Sequence, residues 1–135
     1  MNKISYILLL WIFGGYACND FKSVNCSDCY TSDPDSASLS ILLTINSQNP
    51  EVMFYLYEGK ADQGTLIFHD TIGLGNFSLW LPTHHYYAAK AVYLQQYDTV
   101  VAFDGCSFKA KEVENECNFN CYVFEKEQLD LRLGK

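Results

Sequence analysis

Residues 39–46 read Leu-Ser-Ile-Leu-Leu-Thr-Ile-Asn, and their apolar side chains recur at every second position. One face carries Leu39, Ile41, Leu43 and Ile45, and the other carries Ser40, Thr44 and Asn46. Because successive side chains of a β-strand point to opposite faces, this period of two predicts a half-buried strand. The polar run that follows, Ser47-Gln48-Asn49-Pro50, predicts a turn.

The same alternation continues through most of the chain. Inward-facing rows are predicted at Val52, Phe54 and Leu56, at Phe77, Leu79 and Leu81, and at Tyr87, Ala89, Ala91 and Tyr93. Further strands are predicted at 65–71, 99–103, 107–113, 122–124 and 129–133, with Asp104-Gly105 as a tight turn. Because no window of helical length shows a period of 3.6, the chain is expected to be all-β. A single antiparallel β-sandwich is the first interpretation, although small barrels share the pattern.

The amino terminus has the order of a bacterial export signal. Lys3 supplies a positive charge, Ile4–Phe13 is an apolar run, and Gly14-Gly15-Tyr16-Ala17 precedes Cys18. This order predicts a lipoprotein signal in which Cys18 is acylated after cleavage. Ordinary cleavage after Ala17 and an uncleaved segment are the alternatives, but the apolar run is shorter than the about 20 residues that span a bilayer.

The predicted organisation is a signal peptide over 1–17, a lipidated tether containing cysteines over 18–37, and a β-sandwich domain over 38–135. Removing Lys3 from the nine basic residues leaves eight against 16 acidic ones, a net charge of −8. So acidic a chain is not expected to bind nucleic acid through phosphates. The expected membrane contact is the lipid on Cys18, at the outer membrane or cell surface rather than the inner membrane.

Four of the six cysteines form two close pairs, Cys26 with Cys29 and Cys117 with Cys121. Structural disulfides are the first interpretation, because an export signal implies an oxidising compartment. A tetrathiolate zinc site and redox catalysis by the C-x-x-C are the alternatives. Bridges that cross between the pairs are expected, since closing a loop of about 90 residues removes more unfolded-state entropy than a local ring does. Two local bridges remain the alternative.

The other candidate groups are weaker. Cys106, without a partner in this scheme, is predicted to be a half-buried apolar residue, or else to have a partner in another chain. Surface positions are predicted for His69, His84 and His85. Neighbouring residues of a strand point to opposite faces, so His84 and His85 are poorly placed to bind one metal ion together. If their strand continues, three carboxylates would share one solvated face: Glu112, Glu114 and Glu116.

The sequence contains no catalytic motif. We therefore expect no catalytic residue, no resident metal or cofactor, and no enzyme activity.

Aromatic residues offer a candidate contact surface. Tyr55, Tyr57, Trp80 and Tyr86 are predicted to form an aromatic outer face that binds protein or carbohydrate, because exposed aromatic clusters mark contact sites. The alternative is a core on both sides of these strands.

Several stretches together resemble a family of small exported lipoproteins of anaerobic gut bacteria. They are Cys26-Ser27-Asp28-Cys29-Tyr30 with Pro34, Tyr57-Glu58-Gly59-Lys60, Asp70-Thr71, Tyr86-Tyr87 through Tyr93, Val101–Gly105, and Cys117 and Cys121 followed by Tyr122 and 129–133. The resemblance implies an immunoglobulin- or prealbumin-like sandwich with paired cysteines, and it implies no activity. Cys106 departs from the family pattern.

These observations favour a non-enzymatic, lipid-anchored β-sandwich protein of the cell envelope that acts as an accessory or binding module. The alternative is a metal- or thiol-handling envelope protein that uses the four paired cysteines.

Overall fold

The computed structural model describes residues 24–114 and 116–134, which contain nine β-strands and no helix. The strands are β1 Ser36–Leu42, β2 Val52–Glu58, β3 Thr65–Ile72, β4 Asn76–Pro82, β5 His85–Leu94, β6 Thr99–Phe108, β7 Ala110–Val113, β8 Cys121–Phe124 and β9 Gln128–Asp130. No helix capable of crossing a membrane is therefore found in the described part of the chain. The predicted signal peptide and Cys18 lie outside the described residues.

Two larger sheets enclose one core. The three-stranded sheet has the order β4-β1-β9, and the four-stranded sheet has the order β3-β2-β5-β6. Their inner faces contribute to a single cluster of buried side chains that includes Leu39 and Leu129 from one sheet and Phe54 and Tyr93 from the other. The third sheet is the β7–β8 hairpin, which joins the core through Phe124 stacked on Phe108 at 4.8 Å between ring centroids. The all-β prediction is confirmed, in a sandwich-like arrangement.

The predicted inward rows are confirmed. Val52, Phe54 and Leu56 of β2 are at most 1% exposed, and the four predicted residues of β5 are equally buried. Phe77, Leu79 and Leu81 of β4 are partly buried against the same cluster. Each large apolar side chain that is fully buried contributes roughly 1.5–3 kcal/mol relative to exposure, so these rows supply much of the driving force for folding.

The tight turn predicted at Asp104-Gly105 is wrong. β6 runs unbroken through both residues and pairs with β5 from Leu94↔Thr99 to His85↔Phe108. A Cβ atom built on Gly105 would lie 2.5 Å from the hydroxyl oxygen of Tyr86. Glycine is therefore required here for the close approach of a neighbouring side chain, not for a turn.

Three strand limits differ from the predicted ones. β1 begins at Ser36 rather than Leu39 and ends at Leu42, although Leu43 remains buried. β7 ends at Val113, so Glu114 and Glu116 do not continue a strand face with Glu112. β9 extends only from Gln128 to Asp130.

The pairing is not antiparallel throughout, because β9 runs parallel to β1 with Ile41 opposite Leu129. The antiparallel bridge between Tyr30 and Tyr122 holds β8 beside the segment that leads into β1.

Candidate functional site

Two disulfides bind the amino-terminal segment (residues 24–35) to the β7–β8 hairpin. Cys26 is bonded to Cys117, and Cys29 is bonded to Cys121, with Cα–Cα distances of 5.8 and 5.3 Å. The predicted connectivity, crossing between the pairs, is confirmed. Mutual hydrogen bonds between the backbones of Tyr30 and Tyr122, 2.8 and 3.0 Å long, extend this attachment.

The same segment is also held by the turn between β4 and β5. The N–H of Thr83 donates to the Asp35 carbonyl at 2.9 Å, and its hydroxyl donates to the Pro34 carbonyl. The Nε2 atom of His84 lies 3.1 Å from a carboxylate oxygen of Asp33. The segment that was predicted to be a tether is thus clamped to the sandwich from residue 24 onward.

The sulfur atoms form a compact group. Those of Cys29, Cys117 and Cys121 lie within 4.8 Å of one another, and Cys26 is bonded to one of them. All four cysteines are oxidised, so none presents a thiolate, which is the form that ligates zinc.

Cys106 is a free thiol in β6, opposite Tyr87 of β5. It is 5% exposed, more deeply buried than predicted, and burial raises the pKa of its thiol to about 11. A protonated, buried thiol is a poor nucleophile and metal ligand, so its role is packing.

The outer face of the four-stranded sheet carries a row of four side chains, one from each strand. His69 of β3 is opposite Tyr55 of β2, Tyr55 is opposite Lys90 of β5, and Lys90 is opposite Phe103 of β6. We call these four residues the cross-strand row. The ring of His69 stacks on that of Tyr55 at 6.2 Å, and the Lys90 ammonium lies 4.8 Å from the centroid of Tyr55.

Apolar side chains extend the cross-strand row into a larger patch. Phe103 is 55% exposed and Tyr86 is 47% exposed. Val101 and Ile67, on β6 and β3, are about equally open at 41% and 40%. Exposed apolar area of this kind, concentrated on one sheet face, marks a contact surface more often than scattered single residues do.

A charged group borders the patch. The carboxylate of Asp62 accepts hydrogen bonds from the Tyr57 hydroxyl, at 2.9 Å, and from the Lys90 ammonium. These two bonds lower the pKa of Asp62, and the bond to Asp62 raises the pKa of Lys90. Burial raises the pKa of Tyr57, and its hydrogen bond to the Asp62 carboxylate raises it further. At neutral pH the site therefore presents a carboxylate, an ammonium and a phenol in fixed positions.

The four predicted aromatic residues do not share one face. Tyr55, Tyr57 and Tyr86 lie on the outer face of the four-stranded sheet, but Tyr57 is only 8% exposed there, beside a register shift in the β2–β3 ladder. Trp80 is 71% exposed but belongs to β4 of the other sheet, opposite Ser38. The predicted surface is therefore corrected to Tyr55 and Tyr86 with Phe103, which sequence reasoning missed because its strand was expected to end there.

The remaining histidine of the predicted group also has a carboxylate partner. The Nδ1 atom of His85 lies 2.7 Å from an oxygen of Glu58. His69, His84 and His85 thus have three different neighbours, Tyr55, Asp33 and Glu58, and do not form a common metal site.

No protein-family model matches this chain, and no curated protein or solved structure matches it. The functional argument therefore depends on the chemistry of the sheet face and of the cysteine group.

Proposed function

We propose that this protein is a non-enzymatic, lipid-anchored binding module of the cell envelope, built on an immunoglobulin/prealbumin-like sandwich and related to the small exported lipoproteins that its sequence resembles. Its ligand contacts the outer face of the four-stranded sheet. The observation that carries the proposal is the cross-strand row with its exposed aromatic neighbours, lying on the sheet face that points away from the core.

The two disulfides support an oxidising location outside the cytoplasm. If Cys18 is acylated, eight residue steps separate it from Cys26. Such a segment spans at most about 28 Å, at roughly 3.5 Å per residue. Because Cys26 is fixed to the β7–β8 hairpin, the lipid holds that end of the domain near the membrane.

Carbohydrate is the ligand class that best fits this face. The C–H bonds of a sugar ring pack against the electron-rich face of an aromatic ring, and its hydroxyl groups need donors and acceptors such as Lys90 and Asp62. Adjacent strands are about 4.8 Å apart, so a four-strand row extends about 14 Å, the length of a short oligosaccharide. The net charge of −7 for the whole chain favours neutral over acidic polysaccharides, because like charges repel.

Affinity electrophoresis in gels containing neutral polysaccharides, such as laminarin, xyloglucan and galactomannan, tests the surface. The unaltered protein should be retarded by at least one of them, and Phe103→Ser should abolish the retardation. Phe119→Ser is the matched control, because it removes a phenylalanine ring of similar exposure, 47% against 55%, from the β7–β8 loop outside the patch. Equal losses in both variants, or no retardation of the unaltered protein, would reject carbohydrate binding by this face.

The anchor is tested separately by Cys18→Ser. We expect this variant to lose the mass of the lipid and to move from the membrane fraction to the soluble fraction. A variant that remains membrane-bound with an unchanged mass would contradict the proposed anchor.

The metal- or thiol-handling alternative is favoured by one observation, the close grouping of sulfur atoms at the disulfides. Reduction of both bridges would give four thiols near one point, and thiolates are strong zinc ligands. Protein purified without chelator should then contain one zinc ion per chain and no linked cysteine peptides. The leading proposal instead expects non-reducing peptide maps to join the Cys26 region to the Cys117 region, without zinc.

A further inference from the structure

The four edge strands of the two larger sheets differ in how their outer backbone groups are protected. An edge strand with unpaired N–H and C=O groups is a template for pairing with another chain, and most proteins block such edges with charges, bulges or covering groups. Within the described residues, three of the four edges carry such protection along the strand, and β4 carries it only at its last residue, Pro82.

The edges formed by β6 and β9 protect each other. The carboxylate of Asp104 in β6 accepts a hydrogen bond from the N–H of Asp130 in β9 at 2.8 Å. The ammonium of Lys126 donates to the Gly105 carbonyl of β6 at 3.1 Å. Backbone groups of both strands are therefore occupied, and a charged side chain lies across the gap between the sheets.

The edge formed by β3 is interrupted. Its ladder with β2 shifts register between Leu56 and Tyr57, which is the irregularity of a β-bulge. Asp70 adds a charge, and its carboxylate accepts a hydrogen bond from the N–H of Thr71 at 2.8 Å. A foreign strand would meet a bulged backbone and an amide that already has a partner.

The edge formed by β4 has no charge and no bulge. Asn76–Pro82 contains no charged residue, and its seven positions pair with β1 in one unbroken register. Its only proline, Pro82, stands at the end of the strand and its carbonyl accepts a 2.8 Å hydrogen bond from the Tyr87 hydroxyl, so the protected position is confined to that end. Trp80 lies beside this edge with 71% of its surface exposed.

We propose that β4 is a self-association edge at which two copies of this chain pair antiparallel to form one continuous six-stranded sheet. A strand that pairs with itself in this way makes the isologous contact of a two-fold dimer. The uncharged β4 strand suits a second copy of this chain as its partner. Two chains that each have a net charge of −7 repel each other, and a neutral contact avoids placing like charges side by side. A register centred on Leu79 places each Trp80 opposite Ser78 of the other copy, so the indole covers the new strand pair. The dimer joins two binding faces and does not depend on what those faces bind.

Sedimentation velocity of the full chain, purified as the cell processes it and held in mild detergent, tests this edge. We expect a concentration-dependent rise from monomer to dimer. Ser78→Lys puts a charge on the edge and places the two new lysines diagonally across the two-fold axis, about 7–8 Å apart on one face of the dimer, so it should weaken association about tenfold. Ser38→Lys is the matched control, since Ser38 is exposed on the same sheet face but one strand further in, and it should leave association unchanged.

A second measurement identifies the molecule that pairs with β4. A photo-crosslinking amino acid at position 80 should produce a covalent species of twice the chain mass in whole cells. Monomer at all concentrations, or equal weakening by Ser78→Lys and Ser38→Lys, would overturn the proposal. A crosslink to a different protein would overturn the assignment of a second copy. Circular dichroism of both lysine variants checks that each keeps the β-fold, and Trp80→Ser provides a further variant that should also weaken association.

Discussion

The Oδ2 atom of Asp104, in β6, accepts a 2.8 Å hydrogen bond from the backbone N–H of Asp130, in β9, and so joins the two sheets. Its Oδ1 atom accepts hydrogen bonds from the Lys126 ammonium at 2.6 Å and from the N–H of Gly105 at 2.8 Å. Burial by itself would raise the pKa of Asp104, but these hydrogen bonds outweigh burial and lower it. The fold therefore stabilises the ionised carboxylate.

Replacing Asp104 by asparagine should destabilise the protein at neutral pH by about 1–3 kcal/mol, because a charged acceptor of three hydrogen bonds is lost. The folded-state pKa is lowered, so the carboxylate contributes its full stability above the ordinary aspartate value of about 3.9. This contribution disappears as the pH falls through the lower folded-state value. Urea unfolding at several pH values should show the difference between the two proteins shrinking below about pH 4.

Glu112→Gln is the control for this experiment, since Glu112 is an exposed carboxylate in β7, opposite Tyr122 of β8. It should change the unfolding free energy little at any pH. A difference between the unaltered protein and Asp104→Asn that stays constant down to acid pH would show that the carboxylate charge is not the stabilising feature.

Loss of the disulfides should be strongly non-additive. Each bridge alone closes a loop with a sequence separation of 91 or 92 residues. With one bridge in place, the other closes only a short ring of about eight residues, worth about 2.5 kcal/mol in the chain-entropy model, against about 4.6 kcal/mol for the long loop. Removing either pair by cysteine-to-serine substitution should therefore cost about 2.5 kcal/mol, and removing the second pair should cost nearly twice as much again.

Denaturant unfolding of the two paired variants and the fourfold variant measures these costs. The two removals are not expected to cost the same free energy of unfolding; the second must cost more. Equal costs for the first and second removals would mean that the bridges act on the folded state rather than on the unfolded chain.

Substitution of Gly105 by alanine should destabilise the protein by about 1–3 kcal/mol through overpacking. The new methyl group would lie 2.5 Å from the Tyr86 hydroxyl oxygen and 3.1 Å from the Tyr87 carbonyl oxygen. Removing the ring with Tyr86→Ala should relieve the first contact, so the double variant should lose less stability than the sum of the single variants. Strict additivity would show that the tyrosine ring moves aside without cost.

Cys106 should resist alkylation in the native protein. Its thiol is 5% exposed, and burial raises its pKa to about 11, so at pH 8 the reactive thiolate is scarce. Treatment with iodoacetamide followed by peptide mass mapping should leave this residue unmodified in native protein and modified in urea. Rapid labelling of the folded protein at Cys106 would contradict its placement in the core, and Cys106→Ala confirms the peptide assignment.

Local alternation determined the inward rows of β2, β4 and β5, because the direction of a side chain from a strand depends only on its position along that strand. The crossing of the disulfides was also predictable, since the entropy of a long loop follows from sequence separation. The sequence did not specify that Cys26 pairs with Cys117 and Cys29 with Cys121, because the two crossing arrangements close loops of nearly equal length.

Tertiary structure decided the features that depend on a neighbouring strand. The role of Gly105 is set by Tyr86, which lies on β5, so the local sequence reads as a turn. Trp80 and Tyr55 were expected on one face, but their strands belong to different sheets, an assignment that no local pattern encodes. The parallel direction of β9 and the assembly of the cross-strand row likewise arise only when strands distant in sequence pair. Alternation therefore fixes which side of each strand is buried, while long-range pairing decides which exposed residues become neighbours.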